Sequence, residues 1–506
     1  MKKLFKYSVR FFLILIVFNS CKKNYLDTVP TDQVSSASAF TTTTNAWAAL
    51  NGIHRLLYVQ YYQGDQGGQG ANMLYMEAMG DDWVMNAQAN GWWINQYKWL
   101  SHRSATSLIP YFNYIFYYQI IGNANLIIQN IDAASGPDID KKAIKAEALT
   151  FRAFGYFQMI QLFAKRFDKN TPNDGLGLPI VLEPKSTATP RSTVAEVYIQ
   201  INKDLDAAIA LFPGYSRQNK SHFDLSVAKG IKARVALTQQ NYTVAAQMAN
   251  EARQGYTLMS NTDYFKGFND FTNVEWMWGS HQQDDANTFF YSFFAHASAN
   301  FSSTQIRGNP KSIFSVLYNK ISPTDIRRGL WDPTGTNTAF PVPINASGQD
   351  VGVRKPYQQR KFLTANGLNP TGSSNSIGDV PYMRAAEMYL IEAEARARAG
   401  GQDAVAASVL FALVKQRDPG HTLSVNTGQA LIDEIMIQRR IELWGEGFRF
   451  TDLKRTNSPL DRNGGNHQIG LTGGLFFVAA GDKTWEWLIP QNEIDNSGGV
   501  VIQNPL

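Results

Sequence analysis

Apolar residues return every three or four positions over several long stretches of this chain, and that period predicts a mainly α-helical protein. The strongest stretch is Lys141–Phe163, where Ile144, Ala148, Phe151, Phe154 or Gly155, and Ile160 fall on one face. Asp138 and Asp140 stand at its start, where carboxylates favour the positive end of a helix. The same period predicts helices over Asn45–Val59, the aromatic-rich Pro110–Ile131 and Thr193–Leu211. Ser192 or Thr193 would cap the last of these, with Glu196 near the third position. Ser226–Gln240 and Thr243–Arg253 are separated by a very short turn. Ala233, Ala236, Leu237, Tyr242, Ala245, Ala246 and Ala249 are spaced along them as one antiparallel helix pair, small residues allowing close approach and the tyrosine filling the elbow. Arg384–Ala399 with Gln402–Arg417 repeats the theme through Tyr389, Ala393, Ala397, Ala404, Ala407 and Leu410.

Between about Asn261 and Pro381 the period fades, and Gly, Pro, Asn, Ser and Thr dominate. Val274–Trp278 alternates like a short strand, and Trp485–Pro490, in an irregular tail from Leu460 onward, reads as another that ends at proline. The two Ala-rich pairs are similar to tetratricopeptide-type units, helix pairs that stack to share a core. The expected architecture is therefore one large, mainly α domain of tetratricopeptide-like helix pairs, interrupted by a loop-rich insert with a little β structure. The boundaries expected are a leader over 1–20, a tether over 21–44, a helical part over 45–260, the insert over 261–381, and a C-terminal helical part with the irregular tail over 382–506.

Lys2, Lys3, Lys6 and Arg10 precede the apolar run Phe11–Phe18, which is far shorter than the ~20 residues a membrane-spanning helix needs. This is the layout of a secretory leader. Cys21, the only cysteine of the chain, follows at once. It looks like the lipidated cysteine of a bacterial lipoprotein, where the thiol is diacylated and becomes the new N-terminus. With no second cysteine there is no disulfide framework. Each buried acyl methylene contributes about 0.8 kcal/mol, so two or three chains would anchor the protein stably. The 506 residues, 44% of them hydrophobic, suffice for a large core, and a net charge of +5 without a basic run gives no sign of nucleic acid. Eleven Trp, 22 Tyr and 30 Phe exceed what a core of this size usually uses, which suggests flat, partly exposed contact surfaces.

Four passages carry a family resemblance: Cys21 to Pro30 with Tyr25-Leu26-Asp27; Ala146-Glu147-Ala148 through Phe151-Arg152-Ala153 to Tyr156-Phe157, with Gly177-Leu178-Pro179 beyond; Tyr382 through Arg384-Ala385-Ala386-Glu387 and Tyr389-Leu390 to Ala393-Glu394-Ala395; and Arg439-Arg440 through Glu442-Leu443, Glu446-Gly447-Phe448-Arg449 and Asp452-Leu453-Lys454-Arg455 to Ile489-Pro490, Glu493-Ile494 and Asn504-Pro505. In this order they resemble the SusD/RagB family of outer-membrane lipoproteins of Bacteroidetes, over nearly the whole mature chain. The resemblance implies a mostly helical, tetratricopeptide-like fold whose loop-rich side carries a ligand site. It implies a cell-surface nutrient-binding protein that does no chemistry and needs no cofactor. Such a protein caps a SusC-like TonB-dependent transporter and hands it oligosaccharides, or peptides in some branches.

Sugar rings have apolar faces and polar rims, so aromatic platforms beside amides, carboxylates or Arg suit them. The loop Gly91-Trp92-Trp93-Ile94-Asn95 is the first candidate, because Gly and Asn around tryptophan indicate a loop and the resemblance places that stretch on the ligand side. Trp92, Trp93 and Asn95 are its residues, with Trp83 second; the alternative is that one of the two adjacent tryptophans is a core plug, because on steric grounds the pair does not point to one place. Tyr291 and Arg307 in the insert are further candidates, for stacking and for hydroxyls or an acidic sugar. Trp276, Trp278, Trp485 and Trp487 are expected to be buried. The charges from Arg439 to Arg455 are expected to form a structural ion network. A surface glycoside hydrolase is the enzymatic alternative, with Asp81-Asp82 or Asp284-Asp285 as a carboxylate pair. Adjacent loop aspartates are more often solvated, however, and no regular β/α alternation is present. The seven histidines, including His102, His281 and His296, have no spacing that suggests zinc. The Gly64–Gly70 segment lacks the Lys-Ser/Thr of a phosphate loop and is expected to be a mobile loop. A third possibility is a pure interaction scaffold with a protein partner only.

Overall fold

The apolar period becomes helix throughout. The computed structural model describes residues 40–184, 187–282, 290–365 and 376–506. The leader, Cys21, Asp284 and Asp285 lie outside the described residues. Helix α1 spans Thr43–Leu56, α2 Gly68–Ala78, α3 Leu108–Asn130, α4 Asp138–Phe163, α5 Val194–Leu211, α6 Leu225–Thr238, α7 Tyr242–Ala252, α8 Ala385–Ala399, α9 Asp403–Arg417, α10 Gly428–Glu442 and α11 Arg449–Arg455. Their starts follow capping chemistry. Thr193 and Glu196 close a reciprocal capping box on α5, and Asp224 and Asn241 cap α6 and α7. Ser107 caps α3, so that helix begins two residues before Pro110, whose missing N–H costs nothing in a first turn.

The helices stack in chain order, α3 on α4, α4 on α5, α5 on α6 and α6 on α7. The chain then leaves the stack and rejoins it where α7 packs on α8, and α8 packs on α9 and α10. Across that seam Arg253 lies 2.7 Å from Glu392, with its guanidinium 4.0 Å above the Tyr389 ring. Arg234 of α6 pairs with Glu387 of α8 at 2.6 Å. The fold is thus mainly α and tetratricopeptide-like.

Strands are short. Those that bear on the site are β1 (Trp83–Val84), β2 (Trp276–Ser280), β3 (Ser312–Ile313), β4 (Trp331–Asp332), β5 (Gln358–Gln359) and β6 (Val380–Arg384). A four-stranded sheet runs β1-β3-β5-β4, and β2 pairs antiparallel with β6. The strand expected at Val274–Trp278 is shifted to Trp276–Ser280, and Trp276 and Trp278 are buried. The strand expected at Trp485–Pro490 does not form. Lys483–Trp485 is a short 3-10 turn, after which Trp487 N donates to Leu162 O and Leu488 N to His102 O. The partners of this segment are a helix end and a loop, so it has no ladder to join, while both its tryptophans are buried.

An ionic core ties the excursion to the last helices. Arg384 at the end of β6 bonds Glu275, Glu442 and Glu446. Arg417 bonds Glu275 at 2.6 Å and Glu442 at 3.3 Å. Arg327 bonds Asp325 at 2.6 Å and Glu442 at 3.2 Å, and Lys361 reaches Glu446 at 2.6 Å. All these groups are buried, so each charge depends on its partners. Further along, Arg439 bonds Asp452 at 2.7 Å and Arg455 bonds Glu394 at 2.7 Å.

Candidate functional site

Loops build an aromatic surface around Trp92. Gly91 has φ +89° and Trp93 φ +70°, a left-handed turn that sets each of the two neighbouring indoles 5.0 Å from the His296 ring. Trp93 is the plug: it is buried, and its Nε1–H donates to His296 Nδ1 at 3.0 Å. The other ring nitrogen of His296 donates to Gly64 O at 3.0 Å, so both imidazole positions are committed. Burial pushes His296 down to about 4, and it stays neutral at neutral pH.

Trp92 is only partly buried. Its ring centroid lies 5.0 Å from His296 and 6.3 Å from Phe290, the latter at 82°. A Cβ at Gly64 would lie 2.5 Å from Trp92 Cη2, so only glycine lets that loop close onto the indole. Gln305 donates to Trp92 O at 3.4 Å. Around this ring, Tyr62 is 54% exposed and stacks on Tyr111 at 5.7 Å, Phe290 is 44% exposed, and Asn95 is exposed on the short helix Ile94–Tyr97. Gln66 pins the tyrosine loop by accepting from Tyr62 N at 3.0 Å and Gln63 N at 3.2 Å.

Gly64–Gly70 is therefore no mobile loop. A Cβ at Gly67 would lie 1.8 Å from Tyr291 O, and α2 begins at Gly68, so its glycines serve close packing beneath the aromatic surface. Tyr291 itself is partly buried over that contact. Arg307 ends the short helix Thr304–Arg307, is partly buried, and its Nε has no hydrogen-bond partner among the described residues. The turn after it is clamped to the tryptophan loop, since Asn309 Oδ1 accepts from Asn86 N at 2.8 Å and Ala87 N at 3.1 Å. Beneath lies Lys311, donating to Asn309 O at 2.8 Å; burial pushes it down to about 7.

Trp83 has no open face. It is buried in β1 opposite Ile313, with Trp444 6.3 Å away. The preceding aspartates are not solvated either. Asp82 lies 2.6 Å from Arg440, and Asp81 lies 2.5 Å from Arg449. Burial pushes Asp81 up, but Arg449 and Arg440 together outweigh it and hold it at about 2. These carboxylates lock α10 and α11 to the sheet, and Asp81, held low, is not available as a proton donor.

The structure thus brings Trp92, Trp93 and Asn95 into one region, gives Trp93 and Trp83 to the interior, and sets Arg307 on the adjoining turn. Tyr62, Tyr111, Phe290, His296 and Gln305 are members that the sequence reading missed. Tyr62 could have been found, since two tyrosines stand directly before the glycine-rich segment.

Comparison with known proteins gives two family matches that together span residues 24–506. The description "Starch-binding associating with outer membrane" matches residues 24–237, and "SusD family" matches residues 236–506. SusD-like protein P2 of Formosa agariphila is 25% identical, over 89% of this chain and 90% of its own. A crystal structure of a SusD-like carbohydrate-binding protein from Bacteroides vulgatus superposes with a TM-score of 0.77 at 26% identity, covering 91% of this chain and 97% of that one. A SusD-superfamily protein from Bacteroides thetaiotaomicron gives the same TM-score of 0.77 at 24% identity, over 92% and 100%.

Proposed function

We propose that this chain, which belongs to the SusD family, is a non-enzymatic cell-surface receptor that binds oligosaccharide on its aromatic loop face. A thioether-linked lipid at Cys21 would hold it on the outer membrane, and a SusC-like TonB-dependent transporter would take the ligand from it. One observation carries the ligand reading: the partly exposed Trp92 ring, backed by His296 and Gly64 and edged by Phe290, with the exposed Tyr62 and Asn95 on the same loops. A rigid indole of this kind loses little entropy on binding and offers a flat face to a sugar ring, while Asn95 and Arg307 offer donors to hydroxyls. The carbohydrate-binding relative from Bacteroides vulgatus supports the same ligand class. The loss of Asp81 and Asp82 to arginines weakens the hydrolase reading, because a glycosidase needs one carboxyl raised enough to donate a proton.

Native gels cast with individual polysaccharides test this reading. Retention of the protein without release of reducing ends is the expected outcome; turnover would establish a hydrolase instead. Trp92→Ala is expected to weaken binding at least about tenfold, or about 1.4 kcal/mol. Unchanged retention of that variant would place the ligand elsewhere. Cys21→Ser is expected to move the protein from the membrane fraction to the soluble fraction, and an unaltered distribution would refute the lipid anchor.

A further inference from the structure

Three side chains far apart in sequence converge on one buried point. His54 lies in the last turn of α1, Glu147 midway along α4, and His222 in the segment that leads to the Asp224 cap of α6. All three are buried. We propose that His54 Nε2, His222 Nδ1 and a Glu147 carboxylate oxygen form a site for one divalent transition-metal ion of the zinc class. The proposal is independent of the glycan reading.

Geometry is the first argument. Glu147 Oε2 lies 3.1 Å from His54 Nε2 and 3.3 Å from His222 Nδ1. A tetrahedral zinc with bonds of about 2.0–2.1 Å has donor–donor edges of about 3.3 Å. The three ligand atoms all lie within 4.8 Å of one another. A small adjustment of the rings would admit the ion. Two imidazoles and one carboxylate favour zinc and its neighbours over calcium or magnesium, which prefer all-oxygen cages.

Charge is the second. Glu275, Glu394, Glu442 and Glu446 are buried and each meets an arginine. Glu147, equally buried, forms ion-pair contacts among the described residues only with the two imidazoles. A divalent ion would balance the charge of that buried carboxylate, as the arginines do for the others. The carboxylate is also oriented from outside, since Phe223 N donates to Oε2 at 3.1 Å and the Tyr215 hydroxyl donates to Oε1 at 3.4 Å.

Access is the third. A cavity of about 270 Å³ lined by His54, Arg55, Tyr58, Ser221, His222 and His281 adjoins the cluster. It has room for water as a fourth ligand, so the site would have three protein ligands and one open position, as an open zinc site does. His54 Nδ1 has no hydrogen-bond partner among the described residues. A ring bound through Nε2 would carry its second proton unpaired, so the expected affinity is about 10–100-fold weaker than that of a site with every imidazole supported.

The test uses the full-length, untagged protein, freed of metal by a chelator. Zinc titration by calorimetry is expected to give one ion per chain, and zinc is expected to raise the melting temperature. Cobalt in place of zinc is expected to show the strong visible absorption of a four-coordinate ion. His54→Gln and His222→Gln are each expected to lower zinc affinity more than about 100-fold, beyond the loss seen for supporting residues, and to abolish the zinc-dependent rise in melting temperature. Less than half an equivalent bound at about 0.1 mM free zinc, a weak six-coordinate cobalt spectrum, or unchanged stoichiometry in both variants would overturn the site. If the variants do not fold, the wild-type stoichiometry and cobalt spectrum decide the question alone.

Discussion

Trp92 and Trp93 are chemically identical neighbours with different fates, and the left-handed backbone at Trp93 separates them. One ring is spent on a hydrogen bond to His296, and the other keeps a face toward solvent. Gly64 belongs to the same device, because it alone allows the tyrosine loop to rest against the Trp92 ring. Gly64→Ala is therefore expected to displace the indole and weaken polysaccharide retention, with a change in stability below about 1 kcal/mol because the loop edge can yield toward solvent. Gel retardation beside a urea melt checks this. Full retention by the alanine variant would show that the ring's position does not matter. Trp93→Phe keeps the plug but leaves His296 Nδ1 without its donor, so a loss of about 1–3 kcal/mol is expected in the same melt.

Helices here were legible because their period, caps and small residues are local. The box at Thr193 and Glu196, the Ala-rich contact of α6 with α7, and the acidic first turn of α4 could all be read from neighbouring letters. The segment around Trp485 was misread because alternation marks a half-buried extended chain, and not whether a strand lies beside it. Glycines between 64 and 70 were misread for a related reason: the same residue serves a free loop and a backbone pressed against another segment. The charged run from Arg439 to Arg455 was expected to be structural, and its arginines and acids do bind across elements, yet its partners Arg384, Arg327 and Asp81 were unforeseen. Glu442 is the hub that joins α10 to Arg327, Arg384 and Arg417. Glu442→Ala leaves three buried guanidiniums short of a partner and is expected to destabilise the fold by about 3–5 kcal/mol, read as a lower urea midpoint. A loss under about 1 kcal/mol would mean that Glu275 and Glu446 suffice.

The molecule as one body responds to acid through its buried carboxylates. Burial pushes Glu394 up, but Arg455 and Arg398 outweigh it and hold it at about 2, where Asp81 also lies. Their ordinary values are near 4, so the unfolded chain takes up these protons first, and the stabilisation present above pH 4 is lost as pH falls toward 2. Melting temperature is expected to drop steeply across that interval, and less so for Glu394→Gln; identical acid limbs would contradict the assignment. Asp65 and Glu77, raised by burial to about 6 and about 7, act oppositely, gaining stability as pH falls from 7 to 4. Sequence alone determined the class of fold, the helix pairs and their order, the aromatic excess and the resemblance to one family, because period, capping and motif spacing are carried by residues close together in the chain. Only folding in space chose which tryptophan faces outward, turned Asp81 and Asp82 into anchors for arginines more than 350 positions away, and joined His54, Glu147 and His222. Such contacts depend on where distant segments come to rest, and no local pattern encodes that.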